Sequence, residues 1–139
     1  MAWYSDWHVR KDRLLRDGLL VLVRGVDADP GTGFICVHLE ANEGDLPRSN
    51  ADRGFGLHLT IGFVSDYNRS VALEAVERMN ARWRGRLVRL RIDWMGGGGA
   101  AYLANDDPLA MDPDISWLHP RGWYGNGLHV KPRGLHVSL

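Results

Sequence analysis

A short pattern that occurs twice constrains the fold of this chain more than any other feature. Glycine, an apolar residue, histidine, a second apolar residue, a hydroxyl residue and a third apolar residue follow one another at 56–61 and again at 134–139. The two copies lie close to half of the 139-residue chain apart, and the elements expected around them run in the same order in each half. This repetition indicates an internal duplication, in which similar units share one core.

The pattern has a direct structural meaning if each copy forms a β-strand, because strand side chains point alternately to opposite faces. His58 and Thr60 then share one face, and His136 and Ser138 share one face of a second strand. The intervening apolar residues face the other way, where they can pack beneath helices. Two such strands related by an approximate two-fold axis would gather two imidazoles and two hydroxyls around one point.

Hydrophobic periodicity predicts an α+β chain around these strands. Helices are expected over 7–16, ended by Gly18, and over 72–83, where apolar residues recur at helical spacing before Gly85. Strands are expected at 19–26, 34–39, 57–64, 87–94, 100–104 and 135–139, and polar loops at 41–55 and 105–124. The prediction is one domain, 1–139, with two similar lobes of about 1–65 and 66–139. Each lobe would have an antiparallel sheet and one helix, with a cleft between the lobes.

Composition excludes several kinds of partner. The chain carries 17 basic and 17 acidic side chains, and this balance argues against a long nucleic acid as the main partner. No apolar run approaches the ~20 residues of a membrane-spanning helix, so no membrane partner is expected. The first residues also lack the charged and apolar regions of a secretory signal. A cytoplasmic monomer is therefore expected.

Several residues outside the motifs invite other hypotheses. The one cysteine, Cys36, permits neither an intramolecular disulfide nor a cysteine-based zinc site, and we expect it to be a small apolar filler in a strand. His38 is expected to be packed or hydrogen-bonded. A solvated loop is expected for the acidic cluster Asp106, Asp107, Asp112 and Asp114. A solvated face that partners nearby acids is expected for the basic run Arg82, Arg84, Arg86, Arg89 and Arg91.

The residue types of the repeated motif suit phosphoester chemistry. Imidazole is the side chain best able to accept and donate protons near neutral pH. In-line attack at phosphorus needs a base on the nucleophile and an acid on the leaving oxygen, and His58 and His136 can supply both. The hydroxyls of Thr60 and Ser138 can donate to the non-bridging oxygens, where negative charge develops. This chemistry needs no metal and no cofactor.

The two motifs, Leu57-His58-Leu59-Thr60-Ile61 and Leu135-His136-Val137-Ser138-Leu139, resemble those of the 2H phosphoesterase superfamily. That superfamily includes 2′-5′ RNA ligase-like proteins and cyclic nucleotide phosphodiesterases. The resemblance implies two α+β lobes with one motif from each in a common cleft, His58 and His136 as general base and acid, and phosphate binding by Thr60 and Ser138. It also implies a small nucleotide or oligonucleotide substrate, with a 2′,3′-cyclic phosphate, a 2′-5′ linkage or a cyclic oligonucleotide.

Other residues and other functions compete with this interpretation. His129, in a similar glycine-rich frame, is an alternative to His136 or a substrate contact. Trp123 and Tyr124, upstream of the second motif, are candidate stacking platforms for a base. A non-catalytic module that binds nucleotides or RNA ends would use the same four motif residues. A histidine metal site would instead combine His58, His129 and His136.

Overall fold

The computed structural model describes residues 2–42, 45–46, 56–96, 100–118 and 135–138, with the backbone alone for 2–7. Both helices and strands are present, as the sequence predicts. The helices are α1 (Ala2–Asp17), α2 (Arg69–Trp83) and α3 (Pro113–Leu118). The strands are β1 (Leu19–Ala28), β2 (Phe34–Ala41), β3 (Leu57–Phe63), β4 (Leu87–Leu90), β5 (Ile92–Met95), β6 (Ala100–Leu103) and β7 (His136–Ser138).

The strands form one antiparallel sheet in the order β4-β1-β2-β3-β7-β6-β5. Its two outermost strands, β4 and β5, follow one another in the chain with only Arg91 between them. The sheet is therefore nearly closed. The last strand of the chain, β7, lies at the centre of the order, between β3 and β6, so both repeated motifs lie on neighbouring strands.

The hydrophobic core lies on one face of this sheet, beneath the helices. Helix α2 packs mainly over β1, α1 contacts β5 and α3 contacts β3. One side of α2 is buried through Ala72, Ala75, Val76 and Met79, which is the side that the helical spacing predicts. The helices thus occupy the side where the apolar residues of the two motifs point, and the opposite face of the sheet carries the polar motif residues.

Three β-bulges change which residues point to the core. In β1 the register shifts between Val23 and Gly25, so that Val23 and Val26 are both buried. The side chain of Asn80, on α2, secures this bulge, because its amide donates to the carbonyl of Val26 and its oxygen accepts from the Val26 amide. Similar shifts occur between Ile35 and Cys36 in the β2–β3 pair and between Ile92 and Trp94 in β5.

The break between β4 and β5 is held by a buried carboxylate. Asp107 has no exposed surface, and its oxygens accept from the backbone amides of Arg91 at 2.6 Å, Leu109 at 2.9 Å and Ala110 at 3.1 Å. Burial raises the pKa of Asp107 above its usual value, although these three amides oppose that shift. The expectation of a solvated loop is therefore wrong for Asp107, because backbone donors satisfy its carboxylate inside the protein.

The expectation of a solvated loop is also wrong for Asp112. It is only 4% exposed and accepts from the backbone amides of Asp114 and Ile115 at the start of α3, a helix within the expected 105–124 loop. The Arg82 guanidinium and the indole N–H of Trp83 also donate to it, at 2.9 and 2.7 Å. Asp112 thus joins α3 to the end of α2, which a solvated loop residue would not do.

Two arginines of the basic run, Arg82 and Arg91, pair with acids, as expected. Arg82 contacts both Asp112 and Asp114, and Arg91 lies 3.5 Å from Asp106.

None of the helices in the described ranges is long and apolar enough to span a membrane.

Candidate functional site

The two repeated motifs lie side by side on the sheet. Strands β3 and β7 pair antiparallel with Leu59 opposite Val137. Both of these residues are buried in the core, so their neighbours in each strand face the opposite side. The register places His58 opposite Ser138 and Thr60 opposite His136. Each histidine therefore faces the hydroxyl residue of the other motif, and the four side chains form a reciprocal square.

The spacing within this square suits a small anionic group. Directly opposed residues of an antiparallel pair have Cβ atoms about 4.5–5.5 Å apart. His58, Thr60 and His136 are half-buried, and Ser138 is exposed. The structure thus brings together all four motif residues that the sequence singles out, and their catalytic and binding roles stay predictions.

The surroundings of His58 favour one form of its ring. Nδ1 lies 3.3 Å from the carbonyl oxygen of Gly56. A carbonyl only accepts hydrogen bonds, so this contact requires the proton on Nδ1. In the neutral ring Nε2 then carries the lone pair, which is the form needed for a general base.

His136 has an aromatic neighbour on the next strand. Tyr102 lies opposite His136, and their ring centroids are 5.3 Å apart at an angle of 40°. Tyr102 in turn stacks face to face on Trp94 of β5, with centroids 4.3 Å apart. The bulge between Ile92 and Trp94 brings the indole onto this face. A row of rings therefore supports the His136 side of the square.

His58 has a polar neighbour in the corresponding place. His38 lies opposite His58 across the β2–β3 pair, and its Nε2 is 2.9 Å from a carboxylate oxygen of Asp27. This confirms that His38 is hydrogen-bonded. The two sequence motifs do not connect His38 or Asp27 with the site. Strand alternation could have placed Cys36 and His38 on one face, but the pairing with β3 was not available from the motif alone.

Cys36, the expected small apolar filler in a strand, does lie in a strand but is only half-buried and stands outside the hydrophobic core. It lies opposite Thr60 on the polar face of the sheet, with its Sγ atom 3.7 Å from Oγ1 of Thr60. The register shift next to Cys36 determines this position, because it sets which residues of β2 and β3 face each other. Burial raises the pKa of the Cys36 thiol, and the contact with Thr60 only partly offsets this effect.

A cavity of about 430 Å³ opens beside His58 and Thr60. Its walls come from β1, β2, β3 and the β1–β2 turn, and include Asp27, Asp29, Phe34 and His38. Small-molecule sites commonly have volumes of about 300–1,000 Å³. The polar face thus has a recess for a ligand larger than a single phosphate group.

Three of the predicted binding residues, Trp123, Tyr124 and His129, lie outside the described residues. The metal hypothesis that combines His129 with His58 and His136 involves one of them. Within the described ranges, no group of three or more histidine, cysteine, aspartate or glutamate side chains is arranged to hold a metal ion.

Comparison with protein-family models, with curated proteins and with solved structures found no match to this chain. Function is therefore inferred from the site itself.

Proposed function

We propose that the protein is a metal-independent phosphodiesterase that acts on a nucleotide phosphodiester. Suitable substrates are a 2′,3′-cyclic phosphate, a 2′-5′ linkage or a cyclic oligonucleotide. The observation that carries this proposal is the reciprocal register of β3 and β7, with Leu59 opposite Val137. It supplies two imidazoles and two hydroxyls on one face, which are groups able to serve as base, acid and oxyanion donors in metal-independent phosphoryl transfer.

In the proposed reaction the phosphorus atom lies over the square. One histidine takes the proton from the attacking water or 2′-hydroxyl as the new P–O bond forms. The other gives a proton to the departing ester oxygen as the old P–O bond breaks. Thr60 and Ser138 donate hydrogen bonds to the two non-bridging oxygens. Proton exchange with solvent then restores both imidazoles for the next cycle.

The finer architecture belongs to the same proposal. Strands β4, β1, β2 and β3 lie on one side of the β3–β7 junction, and β7, β6 and β5 lie on the other. We infer that the two sides descend from a duplicated unit, each contributing one motif to a shared cleft. A cytoplasmic monomer acting on a small nucleotide or oligonucleotide fits the balanced charge of the chain.

The test is turnover in the presence of EDTA on 2′,3′-cyclic mononucleotides, 2′-5′ and 3′-5′ dinucleotides and cyclic dinucleotides. We expect cleavage of at least one class, and His58→Ala and His136→Ala should each lower kcat/KM by about 10²-fold or more. His8→Ala, on α1, is the matched control and should retain full activity.

Thr60→Val and Ser138→Ala should lower turnover without abolishing it, because each removes one hydrogen bond to the transition state. If no substrate of the panel is cleaved but nucleotides still bind, the non-catalytic binding module is favoured. Activity that EDTA abolishes would refute the metal-independent mechanism.

A further inference from the structure

The cavity beside His58 is lined by polar side chains that take no part in the reaction proposed at the square of motif residues. Asp27 and His38 form its wall on β1 and β2, two strands and one strand away from β3. Neighbouring strands lie about 4.7–4.9 Å apart, so Asp27 is about 10 Å from β3 across the sheet. A group attached to a phosphate at the square can therefore extend over this wall.

The wall is organised as a carboxylate–imidazole pair. A carboxylate only accepts, so the 2.9 Å contact requires His38 to donate from Nε2 to Asp27. In the neutral ring Nδ1 is then an acceptor. Both side chains are partly exposed, at 42% and 65%, so a ligand in the cavity can contact them.

The remaining lining is acidic and apolar. Hydrogen bonds from the Thr32 hydroxyl and amide, both 2.8 Å long, lower the pKa of Asp29 and keep it ionised near neutral pH. The ring of Phe34 is 45% exposed. The described residues that line the cavity include no lysine and no arginine. Such a surface accepts hydrogen bonds from hydroxyl and amino groups and repels a second phosphate.

Basic residues lie beyond the pair. Asp27 and His38 also border a second cavity of about 410 Å³, which Arg24 and Arg84 line. Arg24 is paired with Glu40 at 3.0 Å. The Asp27–His38 pair thus separates an acidic recess next to His58 from a basic recess further out.

We propose that the cavity beside His58 binds the nucleoside part of the substrate, and that the Asp27–His38 pair selects a nucleoside without a further phosphate. This inference rests on the proposed function, because the phosphoester is placed at the square of motif residues. It also narrows the proposed substrates, because every nucleoside of a cyclic oligonucleotide carries two phosphate groups and would be excluded. Asp27 and His38 then accept hydrogen bonds from ribose hydroxyls or a base amino group, and Asp27 and Asp29 repel a 5′-phosphate.

The test compares two ligands that differ by one phosphate: adenosine 2′-monophosphate and adenosine 2′,5′-bisphosphate. Their dissociation constants are measured by isothermal titration calorimetry at low salt. We expect the monophosphate to bind about tenfold more tightly, equivalent to ~1.4 kcal/mol. This preference should shrink at high salt, because mobile ions screen the carboxylates.

Asp27→Asn should reduce the preference several-fold, since it removes the charge but keeps the size of the side chain. Asp66→Asn is the matched control. Asp66 is exposed, and among the described residues its ion-pair partner is Arg69. This control should leave the ratio unchanged.

Three results would overturn the inference. The bisphosphate could bind as tightly as the monophosphate or more tightly, which would place its second phosphate near Arg24 and Arg84. Asp27→Asn could leave the ratio intact, or neither ligand could bind.

These outcomes separate the inference from the proposed function, because binding is measured without turnover. Selective binding by a protein that cleaves nothing would support the nucleoside cavity and refute the phosphodiesterase. Turnover combined with a preference for the bisphosphate would support the phosphodiesterase and refute the nucleoside cavity.

Discussion

Cys36 places an uncharged side chain next to Thr60 in the candidate site. Their Sγ and Oγ1 atoms are 3.7 Å apart on adjacent strands, at the boundary between the square and the cavity beside His58. Because burial raises the pKa of Cys36, the side chain stays a thiol at neutral pH and adds no charge next to the proposed phosphate position.

Alkylation of Cys36 provides a residue-level prediction. Since the thiolate is the reactive form, iodoacetamide should modify the folded protein more slowly than the urea-unfolded chain at about pH 8. The rate in the folded protein should keep rising above the ordinary thiol pKa of about 8.5. Mass spectrometry of timed samples measures both rates. Equal rates in the folded and unfolded chains would contradict the burial of this thiol.

The two histidines of the square differ in their neighbours, although their motifs match. His58 lies opposite His38, which bonds to Asp27, whereas His136 lies opposite Tyr102, which stacks on Trp94. One side of the site therefore provides hydrogen-bond acceptors and the other provides aromatic surface. This asymmetry gives the two imidazoles different surroundings, which is consistent with the proposed division into base and acid.

At the scale of elements, Gly18 controls how α1 joins β1. It has φ +76°, and its amide donates to the carbonyl of Leu14. A Cβ atom at this position would collide with the backbone oxygen of Leu90 on β4. Gly85, after α2, has a similar φ of +81°, but a Cβ atom there would meet no atom of the described residues within 4 Å.

These two glycines form a matched pair for a stability experiment. Gly85→Ala should cost roughly 1 kcal/mol, because it adds only the strain of a left-handed backbone. Gly18→Ala should cost about 3 kcal/mol, since a steric clash with a fixed strand is added to that strain. Urea unfolding followed by circular dichroism measures both free energies. Similar losses for the two variants would show that β4 moves away without cost.

Periodicity predicted most of the elements, because it depends on neighbours in sequence. The single strand expected at 87–94 was wrong, since the structure has two strands there, β4 and β5, at opposite ends of the sheet. The helix over 72–83 and the strands at 19–26 and 57–64 follow from apolar spacing and agree with α2, β1 and β3. Helix α3 was missed, since six residues among aspartates and prolines give little periodicity. Its start depends on Asp112, whose burial requires Arg82 and Trp83 from a distant helix.

The candidate site was predictable only as far as its two motifs. Alternation places His58 with Thr60 and His136 with Ser138, but the contacts of His38 and Tyr102 depend on cross-strand register. Register shifts beside Cys36 and Trp94 determine which residues of the outer strands reach the polar face. A bulge has no clear signature in one sequence, so these neighbours emerge only from the folded structure.

Across the whole molecule, ion pairs between α2 and α3 couple stability to pH. The Arg78 guanidinium, and then that of Arg82, hold the pKa of Asp114 below its usual value. A carboxyl group with a lowered folded-state pKa stabilises the protein above its ordinary value of about 4. That contribution is lost as pH falls through the folded-state pKa.

Asp114→Asn should therefore lower the urea midpoint at about pH 7, and the difference from wild type should shrink as pH falls below about 4. Arg78→Gln should show the same pH dependence, because it removes the partner that shifts the pKa most. Unfolding curves across this range provide the measurement. A difference that stays constant at every pH would show that Asp114 acts through its shape and not its charge.

The break at Arg91 has a consequence for association between copies of the chain. Within the described residues, the two edge strands of the sheet, β4 and β5, are each only four residues long. Intermolecular strand pairing needs a long row of unpaired amides and carbonyls, and short edges are one way in which proteins avoid it. The break at Arg91, which leaves the sheet nearly closed, therefore also limits the capacity of the protein to seed cross-β aggregates.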